Sequence, residues 1–358
     1  MAPYLTSNDV TNSKPRPLGQ GALVVDLCTS CGRRPAQFLR RSSGEKLCLS
    51  CLFRSIEEKV LRTIREEKMI ISGDRVAIAI SGGKDSLVLL DVLGKLRKRG
   101  HFPRVEFEAF TINEGHPYSC FYRMGRADVV RELAQKYDIP YTVYTFKEVF
   151  GFTALEIAER IWKMEPDIHM CTIDGVLRRR AMNIIGKKRG WTKVATAHNL
   201  DDEAQTVLLN VLMGNLKRFA WFNLGDDAEE KDLIRRIKPL KYIREEEIAL
   251  YAHYNNVPLM ELECPYVYTN PRYDLKFTLA ELERRMPTVK YNLLSVGRQL
   301  GELMELRGGS YARCKYCGAP SSREICRVCE LFAKAGLLDE YLRHLSSYLQ
   351  PDARALVD

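Results

Sequence analysis

Four Cys-x2-Cys pairs set the strongest constraint on how this chain can fold. Eight of its eleven cysteines lie in two sets near the ends. Cys28, Cys31, Cys48 and Cys51 form the first set, with sixteen residues between the pairs. Cys314, Cys317, Cys326 and Cys329 form the second, with eight between. Each pair puts two sulfurs on one tight turn, and two pairs complete the four-thiolate tetrahedron that zinc prefers. Gly32 and Gly318 follow the second cysteine of the leading pairs, where such a turn often needs positive φ. A single pair would leave buried thiols or a redox couple open. Two paired sets predict two Zn2+ sites.

Thiolate ligands imply a reducing compartment. Residues 1–21 are polar and lack the apolar core of a secretory signal. No apolar run approaches the roughly 18 residues of a membrane span. The expectation is a cytoplasmic chain with no membrane partner. Its 358 residues, at roughly 150 per domain, suggest two or three units. The formal charge is +9. Eight thiolates add −8 and two zinc ions +4, which leaves about +5 with both sites filled.

Between the cysteine sets, strands and helices alternate. Ser55 to Met69 has a helical apolar stripe, and Arg75 to Ile80 is a short apolar run fit for a buried parallel strand. A helix is expected over Leu87 to Lys98, a strand over Val105 to Ile112, a helix over Arg123 to Tyr137 and a strand over Pro140 to Phe146. A fourth strand is expected at Thr192 to Ala197, helices at Asp201 to Met213 and Arg244 to Asn255, and a fifth strand at Val257 to Glu261. Leu275 to Arg285, Tyr291 to Leu306 and Phe332 to Leu349 read as helical. The alternation predicts an α/β fold with a doubly wound parallel sheet, flanked by N- and C-terminal zinc fingers. The expected divisions are a tail (1–25), a finger (26–52), a catalytic domain (53–309), a second finger (310–335) and a C-terminal helix and tail (336–358). Function belongs beyond the carboxyl ends of the strands, in the loops 81–86, 111–117 and 197–203.

The first of these loops carries the clearest chemistry. Ser81-Gly82-Gly83-Lys84-Asp85-Ser86 follows a strand and opens a helix. Its glycines let the backbone approach an anion, and the helix N-terminus presents free N–H groups. Ser81, Ser86 and Lys84 add donors. Asp85 would repel a bare phosphate, so Mg2+ is the natural intermediary. The loop resembles the SGGxDS loop of the PP-loop ATP pyrophosphatases, which implies ATP cleaved at its α-phosphate to adenylate a substrate.

Together with two four-cysteine fingers, this loop resembles the TtcA/TtuA family of tRNA 2-thiolation enzymes, over about residues 26 to 335. Ala197 to Thr206 (AHNLDDEAQT), Cys171 to Asn183 (CTIDGVLRRRAMN) and Glu263-Cys264-Pro265-Tyr266 carry the same resemblance. It implies adenylation of the carbon-2 oxygen of a tRNA uridine, at the wobble position or in the T-loop. Sulfur then displaces AMP to leave 2-thiouridine. It implies that Ala79, Ser81 to Ser86, Thr111, Ile112 and Ala197 hold ATP. Asp202 matches a catalytic aspartate, with Asp201 beside it, although both stand where helix caps are common. Arg178 stands where related members carry a catalytic lysine. Arginine binds phosphate in a fork but cannot act as a base, so charge stabilisation suits it better. The implied partners are tRNA, a ubiquitin-like sulfur carrier with a C-terminal thiocarboxylate, and a second copy in a homodimer.

One position departs from the family. Three cysteines usually hold a [4Fe–4S] cluster there. Cys171 and Cys264 match two of them, and Asp174 stands at the third. Three readings stay open: Asp174 as an oxygen ligand, a site without a cluster in which Cys171 and Cys264 carry persulfide, or a variant of reduced activity. A catalytically reduced RNA-binding paralogue and a lysidine synthetase-like ligase are the rival functions. Cys120 fits no ligand position. Basic runs at Arg33-Arg34, Arg40-Arg41, Arg178 to Arg180, Lys187 to Arg189, Arg235-Arg236 and Lys238 suit an RNA backbone.

Overall fold

The computed structural model describes residues 26–119, 125–219, 233–258, 272–305 and 312–350. They divide into two compact units between Cys51 and Leu52. In the first, β1 (Phe38–Arg40) and β2 (Glu45–Leu47) form an antiparallel hairpin with Phe38 opposite Leu47. Gly44, at φ 74°, turns the chain between them and donates its N–H to Arg40 O. The α1 helix (Leu49–Glu66) carries the chain onward.

The second unit is built on one parallel sheet. Its strands are β3 (Arg75–Ala79), β4 (Glu106–Asn113), β5 (Tyr141–Thr145), β6 (Lys193–Ala195) and β7 (Arg235–Ile237), in the order β5-β4-β3-β6-β7. Val76, Ala77 and Ile78 of the central strand are all buried, as a strand covered on both faces must be. The α2 helix (Lys84–Lys98) joins β3 to β4, with α3 (Pro117–Ser119) and α4 (Ala127–Gln135) before β5. Then α5 (Phe146–Phe150), α6 (Ala154–Trp162) and α7 (Met170–Arg189) lead to β6. After β6 come α8 (Leu200–Leu212) and, beyond β7, α9 (Glu245–Tyr254), α10 (Arg272–Arg285) and α11 (Val289–Glu305). The chain winds from β3 outward to β5 and returns to the other side of β3. The order therefore reverses between β3 and β6, and the loops after these two strands open the crevice where ligands of such sheets bind.

The second cysteine set belongs to this body. The short pair β8 (Ala312–Arg313) and β9 (Pro320–Ser321) precedes α12 (Arg327–Lys334) and α13 (Leu338–Leu349). Cys314, Cys326 and Cys329 share an apolar cluster with Ile157, Ile173 and Leu177. Phe332 stacks on Tyr341 at 4.1 Å between ring centres, with Phe150 6.0 Å from each. Close packing also fixes Gly94, where an added Cβ would lie 2.2 Å from the Tyr137 ring.

The expected doubly wound sheet is present, with differences in its parts. The expected strand at Val257 to Glu261 does not begin at its first two residues. Val257 and Pro258 are irregular, and 259–261 lie outside the described residues. The fifth strand is β7, three residues at the sheet edge. Its Arg235-Arg236 reads in sequence as a charge run, and edge strands are commonly short and charged. Phe332 to Leu349 is two helices, because Gly336 takes φ 67° between them. No described helix is long and apolar enough to cross a membrane.

Candidate active site

The loop after β3 is shaped by its own sequence. Ile80 N donates to Phe110 O at 2.8 Å and holds the strand to its end. Gly82 then takes φ 86°, a conformation that side chains rarely adopt. Gly83 sits at the N-cap of α2 in extended backbone, with no side-chain cap over the helix end. The first N–H groups of α2 are thus left to a ligand. Ser86 Oγ donates to Gly83 O at 2.8 Å and accepts from Ser81 N at 3.2 Å, which locks the turn. Lys84 Nζ lies 2.7 Å from Glu245 and 3.2 Å from Asp85. Burial disfavours its ammonium, but the two carboxylates outweigh burial and hold its pKa above the usual value.

Across the crevice, Asn199 caps α8. Its side chain accepts from Asp202 N at 3.1 Å, and Asp202 accepts from Asn199 N at 3.1 Å. The other end of the Asn199 amide donates to Asp85 Oδ1 at 3.2 Å. Burial raises the carboxyl pKa of both Asp85 and Asp202, and the charge of Asp202 adds to the rise at Asp85. Asp201 faces elsewhere. It pairs with Lys290 and accepts from Glu245 N at 2.8 Å. Lys290 also holds Glu283, which Arg244 meets at 2.8 Å. Asp201 thus caps α9 within a buried ion network, while Asp202 borders the loop.

The remaining expected nucleotide contacts lie on the same carboxyl edge. Ala79 ends β3, and half-buried Ala197 lies just past β6, next to Thr196, whose N–H donates to Ile237 O. Thr111 and Ile112 lie near the end of β4 and are buried. The Thr111 hydroxyl donates to Ile80 O at 2.9 Å and accepts from Tyr141.

Cys171, Asp174 and Arg178 share one face of α7, three and four residues apart. Arg178 grips Glu114 Oε1 through Nε at 2.9 Å and a terminal nitrogen at 2.7 Å. Asp174 Oδ2 lies 3.1 Å from His116 Nε2, and both residues are buried. Asp174 Oδ1 is buried with no hydrogen-bond partner among the described residues. Sequence reasoning missed Glu114 and His116 as residues. Its only signal was the position of the 111–117 loop beyond β4. Cys120, Cys264 and the 263–266 segment lie outside the described residues.

Arginines gather beside this face. Local desolvation comes first in lowering the Arg179 guanidinium to about 10, and the charges of Arg236, Arg178, Arg218 and Arg272 add to it. Repelling cations held close together suit a polyanion.

In each cysteine set the four sulfurs lie within 4.8 Å of one another, as metal ligands would, and none of the eight is in a disulfide. Both leading knuckles use the expected turn. Gly32 (φ 62°) donates to Cys28 O, and Gly318 (φ 66°) to Cys314 O, each at 2.8 Å. The backbone N–H of Cys48, with smaller contributions from other donors, lowers the Cys28 thiol to about 6. In the second set, Cys326 N donates to Cys314 Sγ at 3.3 Å and Cys329 N to Cys326 Sγ at 3.4 Å.

Comparison with known proteins adds four findings. The PP-loop domain family model matches residues 54–264. The chain is 33% identical over 309 residues to cytoplasmic tRNA 2-thiolation protein 1 of Drosophila mojavensis, spanning 86% of this chain and 88% of that protein. It is 33% identical over 311 residues to a probable sulfurtransferase of Methanocaldococcus jannaschii, spanning 87% and 88%. Among solved structures, the U34-tRNA thiolase NcsA of Methanococcus maripaludis, with its [4Fe–4S] cluster, is similar with a TM-score of 0.72 and 29% identity, over 87% of this chain and 97% of that one.

Proposed function

The chain belongs to the PP-loop family of tRNA 2-thiolation proteins, and on that premise we propose that it is an ATP-dependent tRNA-uridine 2-sulfurtransferase of the cytoplasm. The observation that carries this reading is the uncapped helix end at Gly83, facing the Asn199–Asp202 turn across the reversal of the sheet. A uridine carbonyl oxygen is a poor leaving group. Attack by that oxygen on the α-phosphate of ATP releases pyrophosphate and makes it an adenylate, which sulfur can displace with release of AMP.

The residues divide this work. Gly82, Gly83, Lys84 and the Ser81 and Ser86 hydroxyls receive the pyrophosphate. Asp85 and Asp202 hold Mg2+, which removes the penalty of two half-buried carboxylates in one place. Ala79, Thr111, Ile112 and Ala197 line the nucleoside side through the edge of the sheet. Arg178, held by Glu114, steadies charge on the transferring group and does not move a proton. Asp201 keeps α8 and α9 in place and so orients its neighbour. The eight terminal cysteines hold two structural Zn2+ ions, in fingers at about 26–52 and 310–335 around the 53–309 catalytic domain.

Cys171, Asp174 and Cys264 are the residues for a [4Fe–4S] cluster, which would supply an iron able to bind sulfide. The donor set fits. Asp174 brings the same negative charge as a thiolate, and its buried Oδ1 lacks a partner among the described residues, one helical turn from Cys171. The similarity to a U34 thiolase supports the wobble uridine as target. The family resemblance supports a thiocarboxylated ubiquitin-like protein as sulfur donor and a paired second copy. The test is nucleoside analysis of tRNA from a strain lacking the gene, complemented with wild type or Lys84→Ala. Wobble 2-thiouridine returns only with wild type. An unchanged nucleoside profile on deletion rejects the proposal.

A further inference from the structure

We propose that His116 is a positioning residue that makes Asp174 a one-oxygen ligand at the cluster site, an inference that rests on the cluster reading above. The sequence offers no hint of it, because the two residues are 58 apart. The hydrogen bonds define the geometry. Ser119 N donates to His116 Nδ1 at 3.2 Å, so that nitrogen carries no proton. The ring proton therefore sits on Nε2, which donates to Asp174 Oδ2 at 3.1 Å. Both ring nitrogens are committed. Among the described residues, the open polar atom of the pair is Asp174 Oδ1.

The loop that presents His116 is cross-linked by its own hydrogen bonds. Ser119 Oγ donates to Asn113 Oδ1 at 2.9 Å and accepts from Glu114 N at 3.0 Å. Gly115 N also donates to Asn113 Oδ1, at 2.9 Å. Gly115 itself takes φ 79°, and an added Cβ would lie 2.6 Å from Thr153. The ring of His116 is stacked near that of Tyr118, at 6.3 Å and 10°. The imidazole is thus fixed before any ligand arrives.

A structural histidine–aspartate pair would be expected to satisfy both carboxylate oxygens, because a buried acceptor left open is destabilising. Among the described residues, one oxygen is locked and the other is left open, on the helix face that carries Cys171. This is the arrangement of a metal-ligating carboxylate whose outer oxygen is held by a second residue, which orients the ligand and strengthens binding. It accounts for an aspartate at the position of the third family cysteine. An oxygen ligand on a flexible carboxylate needs an orienting partner more than a thiolate does, since a thiolate has one donor atom.

The test uses full-length protein reconstituted anaerobically with iron and sulfide, read by visible absorption, Mössbauer spectra and the rate of iron loss to a chelator. Zinc content and the thermal melt report folding. Wild type is expected to hold a cluster in which two irons, one ligated by Asp174 and one without a protein ligand, differ in Mössbauer parameters from the two thiolate-ligated irons. Asp174→Ala should lose it. His116→Leu should speed iron loss roughly 10- to 100-fold, and His116→Gln, which keeps a donor near Nε2, should restore most of the retention. The deciding comparison is Asp174→Cys with and without His116→Leu. With a thiolate at 174, removal of His116 should no longer matter. Equal iron loss from His116→Leu in both backgrounds, or an unchanged spectrum in Asp174→Ala, overturns the proposal. Thiolation of tRNA is assayed in parallel. Inactive protein with the expected iron pattern indicts the assigned reaction, and active protein without the pattern indicts the role of His116.

Discussion

Asn199 Nδ2 donates to Asp85 Oδ1 at 3.2 Å, so one side chain ties the N-cap of α8 to the first turn of α2. The same amide caps α8 through its oxygen. Asn199→Ala removes both bonds. Loss of a cap typically costs about 1 kcal/mol. The expected result is a loss of about 1–2 kcal/mol in denaturant unfolding and a larger proportional loss of ATP affinity by calorimetry. Equal and small effects on both would separate Asn199 from the nucleotide site.

Gly82→Ala tests the loop itself. At φ 86° an alanine is strained by about 1–2 kcal/mol. The strain is relieved only by moving the turn that holds Gly83. ATP binding is expected to weaken at least about tenfold, the equivalent of about 1.4 kcal/mol, with the fold intact by circular dichroism. Binding unchanged in that variant contradicts an anion cradle at this loop.

Burial raises the Asp85 and Asp202 carboxyls above their usual value. In the window between the ordinary and the raised pKa, the folded chain keeps protons that the unfolded chain has released. Stability therefore falls as pH rises through that window, and the loss persists above it. A bound cation favours both carboxylates and opposes the fall. Melting curves of the apo protein should shift down with rising pH, and Mg2+ with ATP should flatten the profile. Asp202→Asn still offers an acceptor to Asn199 N, so it should raise the apo melting temperature at neutral pH while lowering Mg2+-dependent turnover, because one anionic ligand is lost. A pH profile that Asp202→Asn leaves unchanged rules out this origin.

The crowded arginines make a salt-dependent expectation. Arg179→Ala and Arg236→Ala remove like charges that repel one another, so stability should hold or rise slightly. Affinity for tRNA should fall, and the slope of log affinity against log salt should lessen by about 1 for each phosphate no longer neutralised. Filter binding across a salt series measures both. An unchanged slope means that these side chains do not meet the phosphate backbone.

The second finger should be inseparable from the body. Phe332 stacks on Tyr341 within the cluster that contains Cys314, Cys326 and Cys329. Phe332→Ala is expected to cost about 3–5 kcal/mol and to accelerate zinc release from that set. Zinc release at the wild-type rate, monitored with a chelating dye, would uncouple the metal from the core.

What could be read in the sequence was local. The knuckle cysteines and the Ser81–Ser86 loop declare themselves because each acts within a few residues, through a turn or a helix end. The strand β3 is a plain apolar run for the same reason. The edge strand β7 is three residues long and carries two arginines, so its pairing with β6 leaves no periodic trace. The separate fates of Asp201 and Asp202 are equally hidden. Adjacent in sequence, they point to Lys290 and to Asn199, and only tertiary packing distinguishes them. The His116–Asp174 pair joins a loop to a helix across 58 residues, and no pattern at either end announces the other.

The central claim is that this chain activates a tRNA uridine by cleaving ATP at the α-phosphate and replaces its carbon-2 oxygen with sulfur. One assay tests it directly. Purified, reconstituted protein is incubated with unmodified tRNA, ATP, Mg2+ and a sulfide source. Nucleotide products and position-resolved nucleosides are then quantified together. The expected result is AMP and pyrophosphate formed in step with wobble 2-thiouridine, both abolished by Lys84→Ala. Release of ADP and phosphate, or ATP consumption with no 2-thiouridine, would contradict the account.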